Sequence, residues 1–192
     1  MTTREMQGGA GLTTMLKAAL QVLPGVNLIS GVAKKGGALP DLTLTRPDRA
    51  IDPSHVAAYA EVCGFPARQH LPLTYPHMLA FPLHMGIMTD GSFPFPAIGT
   101  VHVGNAITQH RPVSPQEKVD VSASAVNLRP HPKGKVFDLV TTVTSAGETV
   151  WESTSNYLRV GRGDDEARRF VREPAGSATS DPLVLSVTVP LA

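Results

Sequence analysis

The sequence predicts an α+β domain in which a long antiparallel sheet wraps around a central helix. Three observations carry that expectation. The segment 75–90 is apolar yet broken by Pro76, Pro82 and Gly86, a helix with clear start and stop signals precedes it, and alternating β-prone runs follow it. An apolar stretch shorter than the roughly 18 residues that span a bilayer belongs inside a globular core. With its two histidines, His77 and His84, it reads as the wall of an apolar pocket.

Composition sets the outer bounds. With 192 residues, 42% of them apolar and 17% charged, the chain suits one globular domain with long ends. A net charge of +1 supplies no overall field to hold nucleic acid or a membrane surface, so neither partner is expected. The single cysteine, Cys63, excludes an internal disulfide framework and a multi-cysteine zinc site, and it suits a reducing cytoplasm. Only Arg4 precedes the first apolar run, Lys17 interrupts it, and no small-residue cleavage site follows, which argues against a secretory signal.

In chain order, Leu12, Met15, Leu16, Ala19, Leu20 and Leu23 form one helical stripe stopped by Pro24 and Gly25. Residues 1–40 therefore read as a helical arm and loop, and the weak positive charge opposite that stripe favours packing on the domain over a membrane surface. Asp41 to Ile51 reads as a strand up to Arg46-Pro47. Asp52 can then cap a helix with Pro53 at its first position and Gly64 at its end. Val56, Tyr59, Ala60 and Cys63 share a face of that helix, so Cys63 is expected to point inward as a small hydrophobe rather than to act as a nucleophile. Pro82 sits where a second, short helix could begin.

Strands follow. Gly99 to Val103 reads as one; Val119, Val121, Ala123 and Ala125 alternate with polar residues in the next; Phe137, Leu139, Thr141 and Val143 mark another, and Trp151 and Tyr157 lie on one side of the last. Pro130 to Gly134 and Ser145 to Gly147 supply the turns. The domain so defined covers 41–160. Residues 161–192 read as a charged and then Ser-, Ala-, Pro- and Gly-rich linker, ending in the apolar, β-prone run Leu183 to Leu191. Such a strand needs cover from the same domain, a second copy or another chain.

The pieces Tyr59 to Phe65, Tyr75 to Met85, Phe95 to His102 and Gly147 to Leu158 resemble the N-terminal half of MaoC-like double hot-dog proteins, the (R)-specific enoyl-thioester hydratases or 3-hydroxyacyl-thioester dehydratases. The resemblance covers roughly 41–160 and implies a hot-dog fold. In that family it also implies catalysis by an Asp and a His in the pattern Ser-Gly-Asp-x-Asn-Pro-x-His, with a glycine N–H at the start of the hot-dog helix as oxyanion donor. A base must activate water, an acid must protonate the α-carbon, and a donor must meet the thioester oxygen. Laid on this pattern from Cys63, Phe65 takes the Asp position, Ala67 the Asn and Arg68 the Pro; His70 alone keeps its place. Phe81 and Pro82 fall where catalytic halves read His-Gly, and proline has no N–H to give.

The chain is therefore expected to be the non-catalytic half, or a subunit, that binds an acyl-CoA or acyl-carrier-protein thioester, needs a second hot-dog domain as homodimer or heterodimer, and leads at its end toward such a domain. Tyr75, His77, Met78, Phe81, Leu83 and Met88 are candidates for lining the acyl site, each also readable as plain core. His70 is a weak candidate for a surviving base. Arg129, Lys133 and Lys135, with His131, are weak candidates for meeting the phosphates of coenzyme A or an acidic carrier, or simply form a solvated turn. His102 reads as an ordinary sheet residue. No cofactor is expected, and no metal, since His77 and His84 lack a third ligand. Two alternatives stand beside this reading: an active hot-dog thioesterase using Asp90, and a non-enzymatic acyl-thioester carrier.

Overall fold

The computed structural model describes residues 2–6, 37–66, 68–167 and 184–187, the last four as backbone only. Their strands form one sheet in the order β1-β2-β4-β5-β6-β3-β7. These are β1 (Thr2–Glu5), β2 (Leu42–Ala50), β3 (Thr100–Gln109), β4 (Lys118–His131), β5 (Gly134–Ser145), β6 (Glu148–Val160) and β7 (Val184–Val187). Helix α1 spans Pro53–Cys63 and helix α2 spans Tyr75–Thr89. All pairs are antiparallel except β1 with β2.

Alternation places one face of the central strands under α2. Val121, Ala123 and Ala125 of β4 stand opposite Val143, Thr141 and Leu139 of β5, which in turn stand opposite Trp151, Ser153 and Ser155 of β6. All are buried, as are Ala80, Leu83, His84 and Ile87 of α2 above them. The hairpin turn between β5 and β6 has both Ala146 and Gly147 at positive φ, the twist that a two-residue connection requires.

Helix α1 starts and stops as its sequence predicts. The Asp52 carboxylate accepts from the backbone N–H groups of Ser54 (2.9 Å) and His55 (3.4 Å), and Gly64 adopts φ 69° at the other end. Its apolar face is a correction: only Val56 is buried, and Cys63 is exposed rather than turned inward. Pro82 is another. Helix α2 begins at Tyr75, and Pro82 lies inside it, at a helix-interior cost of about 3 kcal/mol that the burial around it must offset.

Two further differences concern the ends. Thr2–Glu5, read as part of an arm, forms an edge strand, with Thr2 N–H donating to Asp41 O at 2.9 Å and Met6 N–H to Thr45 O at 2.8 Å. Within the terminal apolar run, Val184–Val187 pairs with β3 from Val187 opposite Asn105 to Val184 opposite Thr108, so this domain itself covers that backbone. The helix read over Leu12 to Leu23 lies outside the described residues, as does the linker beyond residue 167. No helix among the described residues is long and apolar enough to cross a membrane.

Arg111 clamps the β3–β4 connection to the β5–β6 turn. Its guanidinium makes paired bonds to Glu117 (3.1 and 2.9 Å) and one to Glu148 (2.9 Å). Glu117 also accepts from Ser114 N–H and Ser145 Oγ, and the Arg111 bonds, first among these, hold its pKa down from 4.5 to about 2. The unfolded carboxylate protonates before the folded one, so this stabilisation is complete above pH 4.5 and is lost as pH falls toward 2. Chemical denaturation of Glu117→Gln should show a loss on the order of 1 kcal/mol at neutral pH and a shallower acid limb than the parent.

Candidate functional site

Helix α2 crosses the sheet so that one side of it, together with the β6–β3 ladder, bounds an open groove of about 310 Å3. The helix contributes His77, Phe81, Met85 and Met88, spaced so that they fall on one face. Tyr157 and His102, opposite each other in the β6–β3 register, form the facing wall, and Ala97 and Ile98 close one rim. Phe81 (37% exposed) and Ile98 (43%) keep the mouth open to solvent. No carboxylate lines this groove.

Aromatic rings build its floor. His102 stacks on Tyr157 with centroids 4.8 Å apart, and Tyr157 stacks on Phe137 at 5.7 Å. His77 lies parallel to His102 at 5.9 Å and edge-on to His84 at 5.2 Å. His84 is fully buried, its Nε2 2.8 Å from Thr141 Oγ1, while the Nδ1 atoms of His77 and His84 are buried without a partner in this structure. Burial, then the neighbouring His102, lowers the His77 pKa from 6.5 to about 4. Burial, then His77 and His102, lowers that of His84 to about 3. Both imidazoles are therefore neutral at ordinary pH, and burial pushes the Tyr157 hydroxyl up to about 12. Among the described residues, no group of three or more His, Cys, Asp or Glu is arranged to hold a metal.

Of the six expected lining residues, His77, Phe81 and Met88 reach the groove. Tyr75 does not: it is buried at the α1 side, where its hydroxyl pairs with His55 Nδ1 at 2.8 Å. Leu83 is fully buried core, and Met78 is 41% exposed outside the groove. Sequence reading missed Met85 and the wall residue Tyr157, and it took His102 for an ordinary sheet residue. The i, i+4 and i, i+8 relation of Met85 to Phe81 and His77 was the available signal.

His70 lies elsewhere. It lines two adjoining cavities of about 300 and 360 Å3 beside α1, and these share no lining residue with the groove. Phe65, at the position expected of an Asp in the resemblance, lines both. Glu61 lines the larger one, with no hydrogen bond or ion pair between it and His70. At the start of α2, the N–H groups of Tyr75 and His77 already donate to Pro72 O and Thr74 O, and Pro76 has none; Phe81 and Pro82, expected at the helix entry, lie in its interior instead.

The basic turn is corrected in one member. Arg129 is bound in a fork to the buried Asp138 (2.9 Å from each nitrogen), which Asn127 and Asn156 also bond, so its guanidinium is held by the sheet. Lys133 and Lys135 are exposed. Asp90 is engaged by Ser92 and by Arg4 at 3.3 Å and does not line the groove.

No family model matches the sequence. 3-Hydroxyacyl-thioester dehydratase X of Mycobacterium tuberculosis is 40% identical over 149 residues, covering 78% of this chain and 51% of that protein. A crystal structure of HtdX from the same organism matches with TM-score 0.59 and 42% identity over 62% of this chain and 51% of the other. A truncated HadBC (3R-hydroxyacyl-ACP dehydratase) complex from M. tuberculosis gives TM-score 0.53 at 14% identity, over 64% of this chain and 98% of that one. At that identity the likeness is one of fold. The chain thus spans about half the length of the curated relative it matches.

The two neutral histidines make stability depend on pH. Unfolded imidazoles take up protons below pH 6.5 while the folded ones stay neutral until about 4 and about 3, so stability is full above 6.5 and declines as pH falls. Replacing His84 by Leu removes one of those protons, and urea titrations across pH should show a slope smaller by up to about 1.4 kcal/mol per pH unit between 6.5 and 4. An unchanged slope would mean that His84 is protonated in the folded state.

Proposed function

We propose, from its similarity to 3-hydroxyacyl-thioester dehydratase X, that this chain belongs with the MaoC-like hot-dog dehydratases as an acyl-thioester-binding, non-catalytic half or subunit of a 3-hydroxyacyl-thioester dehydratase, and that it works with a catalytic hot-dog partner. The observation that carries this reading is the separation of the parts. The groove fit for an acyl chain, walled by Phe81, Met85, Met88 and Tyr157, has no carboxylate, while the only imidazole at a family catalytic position, His70, lies in cavities that share no wall with it.

Flexible thioethers and an aromatic floor adapt to alkyl chains of different length, and a cavity of about 310 Å3 sits at the small end of the ligand-site range, which suits part of a chain rather than a whole thioester. Hydration needs a base, an acid and an oxyanion donor converging within about 3 Å of the reacting atoms. On the resemblance Phe65 takes the place of the acid, and at the head of α2, where the donor would lie, the N–H groups of Tyr75 and His77 are engaged and Pro76 has none. The partner supplies the chemistry; this half supplies the hold on the chain. The reading places it in lipid metabolism, in the cytoplasm, with coenzyme A or an acyl carrier protein as the thioester's other half.

Two measurements test it. Incubated alone with a trans-2-enoyl-CoA, the chain should leave the enoyl absorbance unchanged; turnover lost in His70→Ala or Glu61→Gln would overturn the assignment. Binding of a non-hydrolysable acyl-CoA analogue should weaken at least tenfold, about 1.4 kcal/mol, in Phe81→Asp, which places a charge on the groove wall at a partly exposed position. Equal binding by that variant would exclude the groove as the acyl site.

A further inference from the structure

We infer that the cavity between α1, the 65–73 segment and the end of β3 is a second ligand site, separate from the acyl groove, and that it takes a small amphipathic anion, a carboxylate or phosphate on a short apolar body. The cavity of about 300 Å3 is walled mainly by Phe65, Leu71, Pro72 and Pro112. Three residues that can donate hydrogen bonds, Arg68, His70 and Gln109, also line it. No carboxylate is on its wall. Arg68 and His70 are exposed and have no hydrogen-bond or ion-pair partner among the described residues.

Like Arg49 and Arg162, Arg68 has no side-chain hydrogen bond or ion pair among the described residues, and it stands on the wall of this cavity, whereas three other arginines are held in place. Arg111 is held by Glu117 and Glu148, Arg129 by Asp138, and Arg159 donates to Ile98 O at 2.8 Å. Arg68 has nothing of the kind, and it stands where an anion would meet a guanidinium fork, an imidazole N–H in either tautomer, and an amide. Glu61 lines the adjoining cavity of about 360 Å3 and not this one, so repulsion confines the anionic end to the Gln109 side and leaves the neighbouring space to the apolar body.

Described residues on either side of Arg68 and His70 are tied to the rest of the fold. Phe65 N–H donates to Ala60 O at 2.8 Å and its ring stacks on Tyr59. Leu71 N–H donates to Val113 O at 2.8 Å, and the Trp151 indole N–H donates to Leu73 O at 2.8 Å. Those anchors fix the walls before any ligand arrives.

Calorimetric titration of the full chain with hexanoate, hexyl phosphate and the neutral hexanamide tests the inference. At least one anion should bind at least roughly tenfold tighter than hexanamide, weaken with added salt, and lose roughly tenfold in Arg68→Met while changing less than about twofold in Phe81→Asp. Binding by hexanoate alone assigns a carboxylate ligand, and by hexyl phosphate alone a phosphate ester. Absence of binding by both anions, equal binding of hexanamide, or retention of affinity in Arg68→Met would overturn it. A loss in Phe81→Asp instead would move the ligand to the acyl groove.

Discussion

Helix α2 lies in a trough that the sheet makes from small side chains, and the rest of the molecule follows from that fit. Under the helix, Ala123, Ala125, Ser153, Ser155 and Thr141 leave room for the backbone to approach. On its β2 side the helix is packed tightly too: at Gly86 a Cβ would come within 2.8 Å of Leu44 Cδ1 and 3.2 Å of Met6 Sδ. One register row further along, the small residues give way to Phe137, Tyr157 and His102. Large rings hold the helix off the sheet, and the gap beside them is the groove. The same trough accounts for the buried polar groups: a helix this apolar still places His84 over Thr141, and the bond between them satisfies the hydroxyl and one nitrogen of the ring.

How far the sequence disclosed this depends on whether each signal was local. The α1 boundaries were legible because Asp52, Pro53 and Gly64 act on their immediate neighbours. The inner faces of β4, β5 and β6 were legible because a period of two survives along them. Cys63 was misread because an apolar stripe shows that a helix has a favoured side without showing what lies against it, and α1 buries only Val56. Pro47 marked an end that β2 does not have. It falls within the bulge between Arg46 and Arg49, beyond the last β1 pair at Thr45, where no ladder bond needs its missing N–H. Pro82 misled in the same way: helix propensity is a small term beside the burial of Ala80, Leu83, His84 and Ile87.

The candidate site was half legible for a related reason. The apolar residues of the run look alike in sequence, yet only the helix phase, fixed by where α2 begins, decides which of them face the groove. Starting the helix at Tyr75 instead of near Pro82 brings Met85 into line with His77 and Phe81 and sends Leu83 to the core. Tyr157 and His102 come from strands far away in sequence and meet the helix only through the β3–β6 pairing, a long-range register that no local pattern carries.

The two concavities divide the chemistry in a way that a single active site would not. Around α2 the ring nitrogens are neutral, pushed there by burial and by each other, and the walls are thioethers and aromatic carbon. Beside α1 the polar groups are open to solvent, and a guanidinium without a partner stands over prolines and a phenyl ring. Moving a proton onto a bound acyl chain requires the second kind of environment at the floor of the first. Trp151 shows why the two stay apart: its ring is packed in the sheet core while its N–H holds Leu73, so the segment carrying Arg68 and His70 is tied to the far end of the helix from Phe81, Met85 and Met88. Bringing His70 to the groove would break that bond and expose the indole, so on the function proposed above a catalytic group would come more readily from a second domain than from the chain itself.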